Sequence, residues 1–84
     1  MKNKVLVHLL VPEIDESYDI FIPINIRIGT VIKLLNKSLV ELTNNIYQEK
    51  KNRKLYNMLD STAYSINDLV RNTNIRNGTT VILM

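Results

Sequence analysis

The chain of 84 residues contains no cysteine and no tryptophan, and only two glycines, two prolines and one histidine. Without cysteine there is no disulfide scaffold, no thiolate metal site and no cysteine nucleophile. Gly29 and Gly78 stand too far apart to build a phosphate-cradling loop, and so few glycines and prolines leave no room for a low-complexity linker. His8, the single histidine, has neither a cysteine nor a second histidine to complete a zinc site, so it reads as an ordinary strand residue. Asp15 and Glu16 are adjacent carboxylates on a turn, and Ser17, Ser38, Ser61 and Ser65 lie in no Gly-x-Ser-x-Gly setting. No metal, no cofactor and no catalytic activity are expected. No stretch approaches the ~18–20 consecutive apolar residues of a membrane span.

What is present is ordinary globular composition, with 45% hydrophobic residues, 23% charged residues and a formal net charge of +3. A chain of this length buries roughly 60–65% of its unfolded surface and builds one core, so residues 1–84 read as one domain. Asn and Ile recur throughout the chain, which is read as codon bias rather than as an asparagine-based function. Met1-Lys2-Asn3-Lys4 and the apolar run Val5 to Val11 faintly resemble a signal peptide. That run is short, carries His8 and stops at Pro12-Glu13 with no small-residue cleavage site. A cytoplasmic location is expected, with any attachment to the inner face of a membrane made through a partner.

The pattern of apolar residues gives the element order. Lys4 to Val11 (KVLVHLLV) is β-branched and leucine-rich and reads as a strand. Pro12 to Glu16 has turn chemistry, and Ser17 to Ile22 reads as a second, antiparallel strand ended by Pro23. Ile28, Ile32, Leu35, Leu39, Leu42 and Ile46 then follow at spacings of four and three, one face of a helix. Val31, Leu34 and Val40 widen that stripe, Asn25 and Thr30 are both available as caps, and Asn44-Asn45 is a suitable end. Leu55 to Leu59 reads as a third strand. Ser65 or Asn67 could cap a short helical turn holding Ile66, Leu69 and Val70. Asn77-Gly78 predicts a turn, because both residue types tolerate positive φ, and Thr79 to Met84 reads as the last strand.

One amphipathic helix covering one face of a mixed sheet is the economical layering for this order, an α+β class. The last strand, reached after a crossover, lies parallel beside the first in the sheet centre, which is the β-grasp arrangement. Ile75-Arg76-Asn77-Gly78-Thr79-Thr80-Val81 resembles the turn that leads into the final strand of ubiquitin-like proteins. Tyr18 to Leu39 (YDIFIPINIRIGTVIKLLNKSL) is similar to the YukD/EsaB-type small ubiquitin-like proteins of Gram-positive type VII secretion systems. The resemblance implies a ubiquitin-like interaction module whose partners are components of that secretion machinery. Conjugating ubiquitin-like proteins end in a Gly-Gly tail, whereas Val81-Ile82-Leu83-Met84 falls inside the predicted strand, so a non-conjugating module is expected.

Two surfaces stand out as candidate sites. Lys50, Lys51, Arg53 and Lys54, flanked by Tyr47 and Tyr56, form the one basic cluster; its sharpest reading is a nucleic-acid patch, and its plainer one a solvated loop between helix and strand. Against the nucleic-acid reading stand the acidic residues Glu13, Asp15, Glu16 and Asp19; in a β-grasp the first hairpin lies at the same end and its acidic turn neutralises that field, which suits a protein partner better than a polyanion. The second surface follows from strand alternation. If Val5, Val7, Leu9, Ile20, Ile22, Leu55, Val81 and Leu83 face the helix, then Leu6, His8, Leu10, Phe21, Tyr56, Met58, Ile82 and Met84 face away. These residues would form one apolar face with no helix to cover it, a surface for docking or for self-association as a homodimer.

Overall fold

The computed structural model describes residues 3–84; Met1 and Lys2, the start of the basic tetrapeptide, lie outside the described residues. Strand β1 runs Lys4–Val11 with Val7, Leu9 and Val11 buried and the intervening side chains on the other face. Pro12–Ile14 make one turn of 3₁₀ helix. Asp15 then takes a left-handed conformation (φ 54°), its N–H donating to the Pro12 carbonyl at 3.1 Å, and feeds the chain into β2, Glu16–Pro23. The strand is one residue longer at each end than the apolar pattern predicts. Pro23 sits in register opposite Lys4, a position a proline tolerates because it closes an edge strand.

Helix α1, Ile28–Leu42, buries Ile28, Val31, Ile32, Leu35, Asn36 and Leu39. Neither Asn25 nor Thr30 caps it: the N-cap position is Arg27, with no side-chain cap. The first backbone donors are met instead by a distant segment, Ile28 N–H donating to the Asp68 carbonyl (2.8 Å) and Gly29 N–H to the Ile66 carbonyl (3.0 Å). Gly29 permits that approach, since a β-carbon there would lie 3.2 Å from the Ile66 oxygen. At the other end Asn44 and Asn45 both take positive φ, and Asn45 N–H donates to the Val40 carbonyl (3.0 Å) and Asn44 N–H to that of Glu41 (3.4 Å). This is a Schellman termination with asparagine in the usual place of glycine.

That termination corrects the predicted stripe. The chain turns off the helix axis before Ile46, which is 75% exposed, while Leu34 and Leu42 also stay uncovered. Tyr47 folds back into the core in their place, fully buried. Strand β3 is Leu55–Asn57 rather than Leu55 to Leu59, because the Asn57 side chain accepts the Leu59 N–H (2.8 Å) and turns the chain out of the sheet. The short helical turn is a 3₁₀ turn at Val70–Asn72 with no side-chain cap from Ser65 or Asn67; Val70 is buried, Leu69 half-buried and Ile66 exposed. Strand β4, Thr80–Leu83, completes the sheet.

The four strands lie in the order β2-β1-β4-β3. β1 pairs antiparallel with β2 and parallel with β4, and β3 pairs antiparallel with β4. The two central strands are therefore the first and last of the chain, with α1 against one face, as the β-grasp arrangement requires. Apolar side chains from β1, β2, β3, β4, α1, Tyr47, Val70 and Ile75 form one buried cluster.

Candidate interaction surfaces

The parallel pairing of β1 with β4 sets the outer face. Leu10 stands between Ser17 and Ile82, and Ile82 between Leu10 and Tyr56, giving an apolar row across three strands. Leu6 pairs with Phe21 at one corner of the sheet. Phe21 and Met84 are more than half exposed, Met58 is 51% exposed, and Leu10, Tyr56 and Ile82 are half-buried. Met58 follows β3, its N–H donating to the Thr80 carbonyl at 3.1 Å. The sheet thus carries Leu6, Leu10, Phe21, Tyr56 and Ile82 on the side opposite the helix.

His8 interrupts this surface. It pairs across the ladder with Asp19, and its Nδ1–H donates to Asp19 Oδ1 at 2.7 Å. A carboxylate can only accept, so the contact places a proton on Nδ1. The polar pair separates the Leu6–Phe21 corner from the Leu10–Ile82–Tyr56 row. Alternation alone merges the two because it assigns Asp19 no role.

Asn77 and Gly78 anchor the start of β4 to this face. Gly78 has φ 88° in a turn closed by Thr79 N–H donating to the Arg76 carbonyl (3.0 Å). Asn77 does not use its tolerance of positive φ; it acts through its side chain, Oδ1 accepting the Leu6 N–H at 2.8 Å. Gly78 N–H donates in turn to the Leu6 carbonyl at 2.8 Å. Both backbone groups of Leu6 are thereby engaged, and the turn just before β4 is anchored to β1, with Thr80 in register opposite His8.

The basic cluster differs from its reading as a free patch. Arg53 is buried, with its guanidinium 4.5 Å from the Tyr47 ring centroid and donating to Glu13 and to the Gln48 carbonyl. Lys50 Nζ donates to the other Glu13 oxygen at 2.8 Å. Glu13 therefore ties the first turn to the loop after the helix, and the hydrogen bonds from Lys50 and then Arg53 hold its carboxyl below the ordinary range. Tyr47 lies beneath Arg53 with its hydroxyl donating to the buried Asn36, and burial pushes its phenol above the ordinary value. Tyr47 is buried under Arg53 and Tyr56 lies on the sheet face opposite the helix, so neither ring is offered to a base alongside these cations. Sequence reasoning foresaw the charge balance but missed Tyr47, Asn36 and Asn57 as buried polar positions, because nothing local distinguishes them from exposed ones.

Among the described residues no group of three or more His, Asp or Glu side chains is placed to hold a metal ion, and no helix is long and apolar enough to cross a membrane. No family model matches the chain, and no curated protein is similar to it in sequence. Solved structures do resemble it. The ubiquitin-like domain of the Mycobacterium tuberculosis type VII secretion system protein EccD1 superposes with a TM-score of 0.75 at 12% identity, covering 95% of this chain and 96% of that one. The EccD5 ubiquitin-like domain from Mycobacterium xenopi gives 0.70 at 17% identity, covering 96% and 92%. A chain of a toluene 4-monooxygenase HD complex with 4-bromobenzoate gives 0.77 at 6% identity, covering 95% of each, so the same framework serves different machines. Sheet order, single long helix and these superpositions together establish that the chain has the ubiquitin-like β-grasp fold.

Proposed function

We propose that the chain is an interaction module of a type VII secretion apparatus, presenting the outer face of its sheet to a protein component of that machinery. The observation that carries this reading is the Leu10–Ile82–Tyr56 row, with the Leu6–Phe21 corner beyond the His8–Asp19 pair, on a face that no element of the described chain covers. Apolar area of this kind on a small domain is stabilised by a partner. The similarity of Tyr18 to Leu39 to YukD/EsaB-type proteins and the superposition on the EccD1 domain favour secretion components as that partner. The module works in the cytoplasm, reaching the membrane through its partner.

Tyr56→Ala and Ile82→Ser test the reading. Both side chains lie on the outer face and outside the core cluster, so each variant keeps a cooperative melt and loses co-purification with cross-linked, membrane-anchored components of the apparatus. Sedimentation of the purified chain separates partner docking from self-association. Undiminished co-purification by both variants, or loss of folding in both, would sink the proposal.

A further inference from the structure

A second recognition surface lies away from the sheet's outer face. Between α1 and the loop that follows it is an open cleft of about 590 Å³. Ile32, Gly29 and Ile66 give it an aliphatic floor, and Lys33, Lys50, Lys51 and Arg53 line it against one carboxylate, Glu49. The cations are of two kinds. Lys50 and Arg53 are fixed from behind by Glu13, whereas among the described residues no carboxylate lies within ion-pair distance of Lys33 or Lys51. Arg53 is almost wholly buried, and its Nε has no acceptor among the described residues, which leaves an uncompensated donor beneath the cleft.

We propose that this cleft binds an acidic peptide segment of a protein partner, with an apolar side chain on the Ile32–Ile66 floor and carboxylates on Lys33 and Lys51. Charge complementarity selects the acidic partner, and the aliphatic floor selects a peptide over other anions. A base has nothing to stack on there, because Tyr47 is covered by Arg53 and Tyr56 is on the opposite face of the sheet. A free phosphate finds no cradle of backbone donors, since the N–H groups of Ile28 and Gly29 already donate to Asp68 and Ile66. The inference is independent of the sheet face and of the secretion assignment.

The probe is a fluorescein-labelled synthetic peptide in which leucines are flanked on both sides by aspartates and glutamates, titrated into the full chain. Saturable amide shifts at Gly29, Ile32 and Ile66 are expected, with affinity that falls as salt is raised. The double variant Lys33→Glu, Lys51→Glu changes exposed side chains, keeps the wild-type melting temperature and weakens binding at least about tenfold. Ile66→Ser weakens it further, and Tyr56→Ala leaves it unchanged. The inference is overturned by any of three results: no saturable shift up to about 1 mM peptide, tighter binding of an oligothymidylate than of the peptide, or loss of peptide binding in Tyr56→Ala with no effect of the double variant.

Discussion

The segment up to Thr43 and the segment after it share one core but are held by different means. The first consists of two eight-residue strands and a fifteen-residue helix, each specified by the spacing of its apolar side chains. The second has strands of three and four residues. Between them the chain is shaped by polar side chains that reach backbone or one another. Asn57 Nδ2–H donates to the Tyr64 hydroxyl (2.9 Å), which donates to Asn74 Oδ1 (2.6 Å). Thr73 Oγ1–H donates to the Val70 carbonyl (2.6 Å) and accepts the Ile75 N–H (3.1 Å), and the Arg76 guanidinium donates to the carbonyls of Thr73 and Ile75. A regular segment is set mainly by its period, with Gly29 and the buried Asn36 as exceptions, whereas an irregular one depends throughout on particular donors and acceptors.

Removal of β4 tests what joins the two segments and has the largest expected effect. Deleting Ile82, Leu83 and Met84 takes away the fully buried Leu83 and the pairing of both β1 and β3 with a central strand. Cooperative thermal unfolding disappears, whereas a tag appended after Met84 leaves it intact. A deletion variant with a sharp wild-type-like transition would mean that the first segment folds alone.

The contrast between the segments is sharpened by a pair of asparagine variants. Asn57→Ala removes a buried side chain that holds Leu59, Tyr64 and Asn74, and costs about 2–3 kcal/mol in chemical denaturation. Asn25→Ala, at an exposed position of the first segment, stays within about 0.5 kcal/mol of wild type. Equal losses in the two would erase the distinction.

Gly78→Val isolates backbone strain from packing. A β-carbon at Gly78 meets no atom within 4 Å, so the whole cost comes from holding a β-branched residue at φ 88°. A loss of about 1–2 kcal/mol is expected, with Gly78→Asn losing less. A melt of Gly78→Val superimposable on wild type would show that the turn relaxes freely.

Glu13→Gln gives the smallest effect and probes the tie across the two segments. The carboxyl of Glu13 is held below its ordinary pKa by Lys50 and Arg53, so the folded state favours the ionised form. Its stabilisation is fully present above the unfolded-state value and is lost as pH falls through the lower folded value. Wild type therefore loses more melting temperature than Glu13→Gln between neutral and acid pH. Parallel profiles for the two would remove Glu13 from the account.

The sequence by itself determined the strand–strand–helix–strand–strand order, the buried faces of β1 and β4, the end of α1 near Asn44-Asn45 and the turn at Gly78. Each rests on a period or on a residue whose backbone preference is local. Tertiary structure alone decided how α1 begins, because its first donors are met by Ile66 and Asp68, some forty residues away. It also decided the fate of the asparagines, which composition assigns to codon bias: Asn36, Asn57 and Asn77 have the same local chemistry as Asn25, and only the partners the fold sets beside them, Tyr47, Tyr64 and Leu6, make them structural. The same holds for the basic loop, where Arg53 becomes a buried tie and Lys51 stays at an open rim. Charge is written in the sequence, but whether a charge is neutralised depends on which turn the fold brings beside it.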